Sequence, residues 1–498
     1  MSVADPTGSL DIAIEDYELQ SARSKLISLL SPADRPRVRS INVTSAGRTA
    51  ARDLIAAIGP SPLPRLVSLT LDLDNEEDEE EFRYAFEEEV DPDDLLVEVA
   101  ALSFQAPLLN AAVLHNVCLP WNVALFSQFV SLKIDVDGKL ASIYRPTHDI
   151  LCDVLAGMHI LEHLFLGDTF PEYPRRLPSN LRRIIIPNTC RSITLRVDHD
   201  YGDFMHLARY LQVPPASRLN FIITNHTDCA GILRHFTSGP LALRGARIIG
   251  YDGVQSDCGC GAISLIRDAT AWLEAPQTAL LDTPTPHIHF RFLAVPTGLI
   301  EDEECNYDHH FDRYASGLRA IDLSQLQVLH LPDFPGRLSE ELIAGDEQYH
   351  TYHPILQSAE HLKVLILSGY STCNLWVFYD ILAGQNTTGN FLLPQLRILF
   401  VAFPPSARPQ GGNSGDDSED GLEDGPFDKA SRDALKRLLR RRRSAGFPLH
   451  TLTMHRGFQG HALLEEIGNL VQVEFFDTAE SAHADVVEWE WQAWPPTT

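Results

Sequence analysis

Apolar residues return along this chain in one short pattern: an aliphatic residue, two variable positions, a second aliphatic, one variable position, a third. It reads as Leu66, Leu69 and Leu71, as Leu161, Leu164 and Leu166, as Leu326, Leu329 and Leu331, and as Leu362, Leu365 and Leu367. Leu449, Leu452 and Met454 are a variant. Looser copies fall at Leu109, Ala112 and Leu114, at Phe129, Leu132 and Ile134, and at Leu181, Ile184 and Ile186. Others fall at Leu396, Leu399 and Val401 and at Leu470, Val473 and Phe475. The last two members of each copy are two residues apart, which puts them on one face of an extended strand. Each copy therefore predicts a short strand, and Val38, Ile41 and Val43 in RVRSINV mark another.

The steps between copies are unequal. First positions are 20 residues apart from 109 to 129 and from 161 to 181, but 32 apart from 129 to 161, 36 from 326 to 362 and 34 from 362 to 396. Short steps leave room for a loop. Long steps hold a helix, such as DILCDVLAGM (Ile150, Leu151, Val154, Leu155) or LWVFYDILAG (Leu375, Phe378, Tyr379, Leu382), which stops at Gly384. A short helix is also expected from Arg52 to Ile58. Strands alternating with helices predict an α/β fold. The phrase is that of a leucine-rich repeat. The expected architecture is an irregular leucine-rich-repeat solenoid, a curved parallel sheet of roughly a dozen strands with helices and loops on the convex side.

Residues 1–36 read as an N-terminal helical lead-in (Leu19, Leu26, Leu29, Leu30), and 37–403 as the repeat array. Residues 74–98 carry an acidic insertion within it, and 404–430 a second one rich in Gly, Ser, Pro and acid; both have the makeup of disorder. Residues 431–498 hold the last repeats and a cap. There VVEWEWQAW alternates Val487, Trp489 and Trp491 against Glu488 and Glu490, a strand pattern expected to close the open end of the array. Between 225 and 320 the phrase fades, and HIHFRFLAV is the one strand expected.

The 498 residues carry a net charge of −28. That balance argues against nucleic acid and anionic membranes and favours a protein partner with a basic surface. Eight scattered cysteines form no disulfide framework and suit a reducing compartment, cytoplasmic or nuclear. No uninterrupted apolar run reaches 18 residues, so no membrane span is expected.

Candidate chemistry is sparse. Glu304, Cys305, His309, His310 and Asp312 crowd into ECNYDHHFD, which supports an alternative reading as a metal-dependent hydrolase using His309 and His310. Adjacent histidines on one segment rarely reach one ion, and the plainer reading is a polar loop. Cys258 and Cys260, with Cys229 upstream, lack the second pair that zinc requires. No nucleophile-elbow, phosphate-loop, dinucleotide or HExxH motif occurs. Lys436, Arg437 and Arg440 to Arg443 form a basic run that fits either a nuclear import signal or the solvated face of an amphipathic helix, with Ser431 as its N-cap. The helix is the preferred reading. No catalytic, cofactor or metal residue is assigned, and no enzyme activity is expected.

Several stretches together resemble the leucine-rich-repeat region of fungal F-box-like proteins. They are LQSARSKLISLLSPADRPRVRSINV with LPRLVSLTLDL, APLLNAAVLHNVCLPW, LCDVLAGMHILEHLFLGD, DALKRLLRRRRSAGFPLHTLTM and the terminal VEWEW. Two departures stand out. No N-terminal F-box with its Leu-Pro-x-Glu opening is recognisable, and the Asn expected at the ninth repeat position is replaced by Val117, Thr169, Phe334 and Tyr370. The resemblance implies a protein-recognition scaffold that holds a substrate for ubiquitin transfer. A Skp-type adaptor is expected as a partner only where an F-box is supplied.

Overall fold

The computed structural model describes residues 9–14, 31, 33–44, 62–72, 106–117, 121, 123–136, 144–174, 181–198, 201–224, 233–234, 245–251, 260–266, 273, 288–293, 319, 321–332, 353–368, 375–384, 391–402, 429–459 and 461–476. The chain divides into two compact units, Met1–Thr224 and Asn225–Thr498.

The phrase becomes a strand through a turn that precedes it. The backbone N–H of the first member donates to the carbonyl three residues earlier: Leu66 to Leu63, Leu109 to Ala106, Phe129 to Phe126, Leu161 to Met158, Leu326 to Leu323, Leu362 to Ala359 and Leu396 to Leu393. Both ends of each turn are buried. The repeated unit is thus longer than the phrase, with an apolar residue three places before it. The turn satisfies backbone groups that burial would otherwise leave unpaired and launches each strand in the same direction.

In the first unit the strands are β1 (Leu10–Ile14), β2 (Val38–Val43), β3 (Ser68–Asp72), β4 (Ala111–His115), β5 (Ser131–Asp135), β6 (His163–Gly167), β7 (Ile184–Ile185), β8 (Ser192–Val197), β9 (Leu211–Gln212) and β10 (Arg218–Thr224). Helices α1 (Val123–Phe126), α2 (His148–Gly157) and α3 (Tyr201–Tyr210) lie between them. Eight described strands form a parallel sheet in the order β1-β2-β3-β4-β5-β6-β8-β10. The phrase positions line one side of it: Leu69, Leu71, Ala112, Leu114, Leu132, Ile134, Leu164 and Leu166 are all buried.

In the second unit β11 (Gly245–Tyr251), β12 (Cys260–Ile266) and β13 (Ile288–Leu293) pair antiparallel, and β11 runs parallel beside β14 (Val328–Pro332). From β14 the sheet continues as five parallel strands through β15 (Val364–Ser368), β16 (Ile398–Ala402), β17 (Thr451–His455) and β18 (Gln472–Phe476). Helices α4 (Leu375–Ala383), α5 (Lys429–Ser444) and α6 (Ala462–Ile467) belong to this unit. The fold is mixed α/β with long parallel runs, and the described strands close no barrel.

Several expectations need correction. Leu181, Ile184 and Ile186 do not enter the main sheet. Ile184 and Ile185 form the short strand β7, which pairs with β9 apart from it. The neighbour of β6 is instead β8, whose phrase is Cys190, Ile193 and Leu195, all buried. The stretch around Ile184 is held by α2: His148 Nε2 donates to the Arg182 carbonyl at 2.9 Å, and the Cys152 thiol lies 3.9 Å from that of Arg183. Within 1–36, expected to be a helical lead-in, Leu10–Ile14 is a strand paired with β2. The helix read from Leu19 to Leu30 lies outside the described residues, as do the helix at 52–58, the insertion at 74–98, residues 404–428 of the second insertion and VVEWEWQAW, whereas Lys429 and Ala430, expected to belong to that insertion, open α5. HIHFRFLAV does contain a strand, β13.

Candidate recognition face

Side chains alternate across a strand, so the positions between the leucines form a second set on the opposite face. In the first unit this set is polar, and strand register aligns it in rows. Asp72, His115, Asp135, Gly167 and Arg196 are successive partners at the C-terminal ends of β3, β4, β5, β6 and β8. One step back lie Thr70, Val113, Lys133, Phe165, Thr194 and Asn220.

The end row is cross-linked by charge. His115 Nδ1 lies 2.7 Å from Asp72 Oδ1. An ionised carboxylate only accepts, so this nitrogen carries the hydrogen. Arg196 donates from one terminal nitrogen to Asp135 Oδ2 at 2.9 Å and from Nε to Asp198 Oδ2 at 2.6 Å. Lys133 Nζ stands 3.9 Å from Asp135 and 4.8 Å from the centre of the Phe165 ring. The Asp135 side chain is 3% exposed, against 37% for Asp72 and 21% for His115. A buried carboxylate is costly unless paired, so Arg196 and Lys133 hold the β5–β8 part together. In the β3–β4 part Thr70, Asp72, Val113 and His115 are half-buried rather than covered.

Two turn residues beside this row adopt left-handed backbone: Asn116 with φ 55° and Asp168 with φ 47°. Asn and Asp tolerate that region better than other side chains. Asp168 Oδ1 accepts from the Asp198 backbone N–H at 3.0 Å. A side-chain bond to turn backbone is thus made one position before Thr169, the place at which a repeat Asn is expected.

In the second unit the matching face carries an apolar cluster beside polar positions such as His330, Thr453 and His455. Val328, Val364, Ile366, Phe400 and Phe476 form one buried cluster, against which Leu273 and Ile398 pack. Phe400 and Phe476 pack with ring centres 4.5 Å apart and planes tilted by 43°.

The basic run is α5, as preferred, but it begins at Lys429. Ser431 is therefore inside the helix and fully buried, not its N-cap. Nor is the cationic face uniformly solvated. Arg442 is 0% exposed. Its guanidinium donates to the carbonyls of Leu392 at 3.0 Å, Leu393 at 2.8 Å and Phe447 at 3.1 Å, and burial lowers its pKa to about 10. Arg437 bonds Asp380 at 3.0 Å, and Lys436 pairs with Glu466. Within the run Arg442 alone is buried, and Arg437, Arg440, Arg441 and Arg443 are exposed.

His309, His310 and the rest of ECNYDHHFD lie outside the described residues, as do Cys229 and Cys258; Cys260 opens β12. Among the described residues no three His, Cys, Asp or Glu side chains converge as metal ligands, and no helix is long and apolar enough to cross a membrane. Set beside known proteins, the chain matches no protein-family model and no curated sequence.

Proposed function

We propose that this chain is a non-catalytic protein-recognition scaffold of the leucine-rich-repeat kind, an irregular solenoid resembling the substrate-holding repeat region of F-box proteins. The observation that carries the reading is the repeated unit of turn and strand. It fixes the same buried positions in copy after copy and leaves the opposite face to vary. In such arrays recognition resides in the varying face. Here that face offers Thr70, Asp72, Val113 and His115, half-open on β3 and β4. A partner segment carrying Lys or Arg suits Asp72 and the net charge of −28. Cytoplasm or nucleus suits the buried free thiols of Cys152 and Cys190. Recruitment of a Skp-type adaptor requires an F-box and is not part of the proposal.

The test is affinity purification of the native protein beside an Asp72→Ala/His115→Ala variant with the same thermal midpoint. A partner recovered with the native chain and lost with the variant supports the reading. Equal recovery by both moves recognition off this face. Hydrolytic turnover abolished by His309→Ala and His310→Ala would replace a scaffold with an enzyme.

A further inference from the structure

The strand β18 ends the described sheet of the second unit, and its core-facing side is poorly covered. Val473 and Phe475 are only half-buried, whereas their register partners on β17, Leu452 and Met454, are fully buried. Among the described residues the outer edge of β18 is unpaired as well. The Gln472 N–H donates to the His450 carbonyl at 3.1 Å, on the β17 side. Successive residues of a strand point their backbone groups to alternate sides, so those of Val473 and Phe475 face the outer edge. Among the described residues no strand pairs there. An apolar edge of this kind is a template for one more strand.

The chain itself supplies one. Beyond Phe476 it runs on to Thr498, and within that stretch Val486, Trp489 and Trp491 spell the repeat phrase once more. We propose that residues 486–491 dock on the outer edge of β18 and lay Trp489 and Trp491 over Val473 and Phe475. The connection is long enough. Residues 477–485 reach about 30 Å when extended, well beyond the ~17 Å of a five-residue strand. Tethering also favours this occupant over a second copy, because a short linker holds its segment at an effective concentration on the order of millimolar. Each indole brings about 200 Å² of surface to cover the exposed layer. The docking is independent of what the face of the first unit binds.

Hydrogen exchange on the full chain tests this. The amides of Val473 and Phe475 are expected to exchange at least ~10-fold more slowly in the native chain than in a full-length Trp489→Glu/Trp491→Glu variant, with β17 equally protected in both. A second measurement holds if that variant fails to fold. The emission lost in Trp489→Phe/Trp491→Phe should be blue-shifted and shielded from acrylamide. Equal exchange in native chain and variant, or water-exposed emission from these indoles, overturns the proposal. Protection that grows with protein concentration assigns the edge to a second copy and overturns it too.

Discussion

Gly167 leaves open the space that the Asp135 carboxylate fills. The two are register partners on β6 and β5, and a Cβ placed on Gly167 would lie 1.9 Å from Asp135 Oδ1. Arg196, the partner of Gly167 on the other side, reaches across the glycine to Asp135 at 2.9 Å. The ion pair spans an intervening strand because that strand carries no side chain there. Gly167→Ala should destabilise the chain by about 1–3 kcal/mol in urea unfolding, the usual cost of overpacking. In an Asp135→Ala background the same change should cost at least ~1 kcal/mol less, because the clashing group is gone. Additive costs would show that the two side chains do not share the space.

Arg442 fastens the C-terminal half of α5 to the turn at Leu392 and Leu393 through two carbonyls, and its Nε donates to a third, that of Phe447 just beyond the helix. Leu393 is itself left-handed, with φ 50°, so the guanidinium holds a backbone that leucine does not favour. Gly446, at φ 85°, ends the helix where the Phe447 N–H returns to the Arg442 carbonyl at 2.9 Å. Arg442→Ala should cost about 2–4 kcal/mol, because it leaves a void and removes a donor from buried carbonyls. Lysine should rescue little, since one ammonium cannot replace the planar fork. The exposed neighbour Arg441→Ala should stay within about 0.5 kcal/mol. Thermal unfolding of the three variants separates a buried fastener from a surface charge.

The strands legible from the pattern, β5 with Phe129 and β18 with Phe475 among them, are those whose phrase opens on a large aliphatic or aromatic residue. Leu66, Leu161 and Leu362 announce β3, β6 and β15 because the turn before each strand buries that residue completely. β8 hides because its first position is Cys190, a small apolar side chain that serves the same burial. β10 hides because its turn closes on Ser217, fully buried but polar and two places before Leu219 rather than three. β11 to β13 pair antiparallel and need no such phrase. The polar row at the strand ends is not legible at all. Asp72, His115, Asp135 and Arg196 differ from copy to copy, so no periodicity marks them, and only the register of the strands brings them into one row. The buried role of Arg442 was equally hidden, because four consecutive arginines read alike until one is found to face inward.

Tyr379 on α4 is fully buried, and its hydroxyl has no hydrogen-bond partner among the described residues. Burial alone pushes its pKa up. A buried hydroxyl without a partner keeps its desolvation cost, so Tyr379→Phe should be neutral or stabilise by up to ~1 kcal/mol. Tyr379→Ala, which empties the ring volume, should instead cost about 3–5 kcal/mol. Guanidinium unfolding of both variants checks this, and a loss on Tyr379→Phe would show that the hydroxyl has a partner.

His163 lies on β6 on the polar side of the sheet and is buried. Burial lowers its pKa below the ordinary 6.5; the nearby Glu162 opposes the shift, and Arg191 adds to it. The unfolded chain therefore binds a proton at a higher pH than the folded one. In that window stability rises with pH, so this contribution is complete above about 6.5 and is lost as pH falls toward the folded value. The first unit should be less stable at pH 5.5 than at pH 7.5, and His163→Gln should flatten that slope while leaving a neutral hydrogen-bonding side chain in place. Urea unfolding at the two pH values measures the difference. An equally steep acid loss in His163→Gln would assign the effect to other groups.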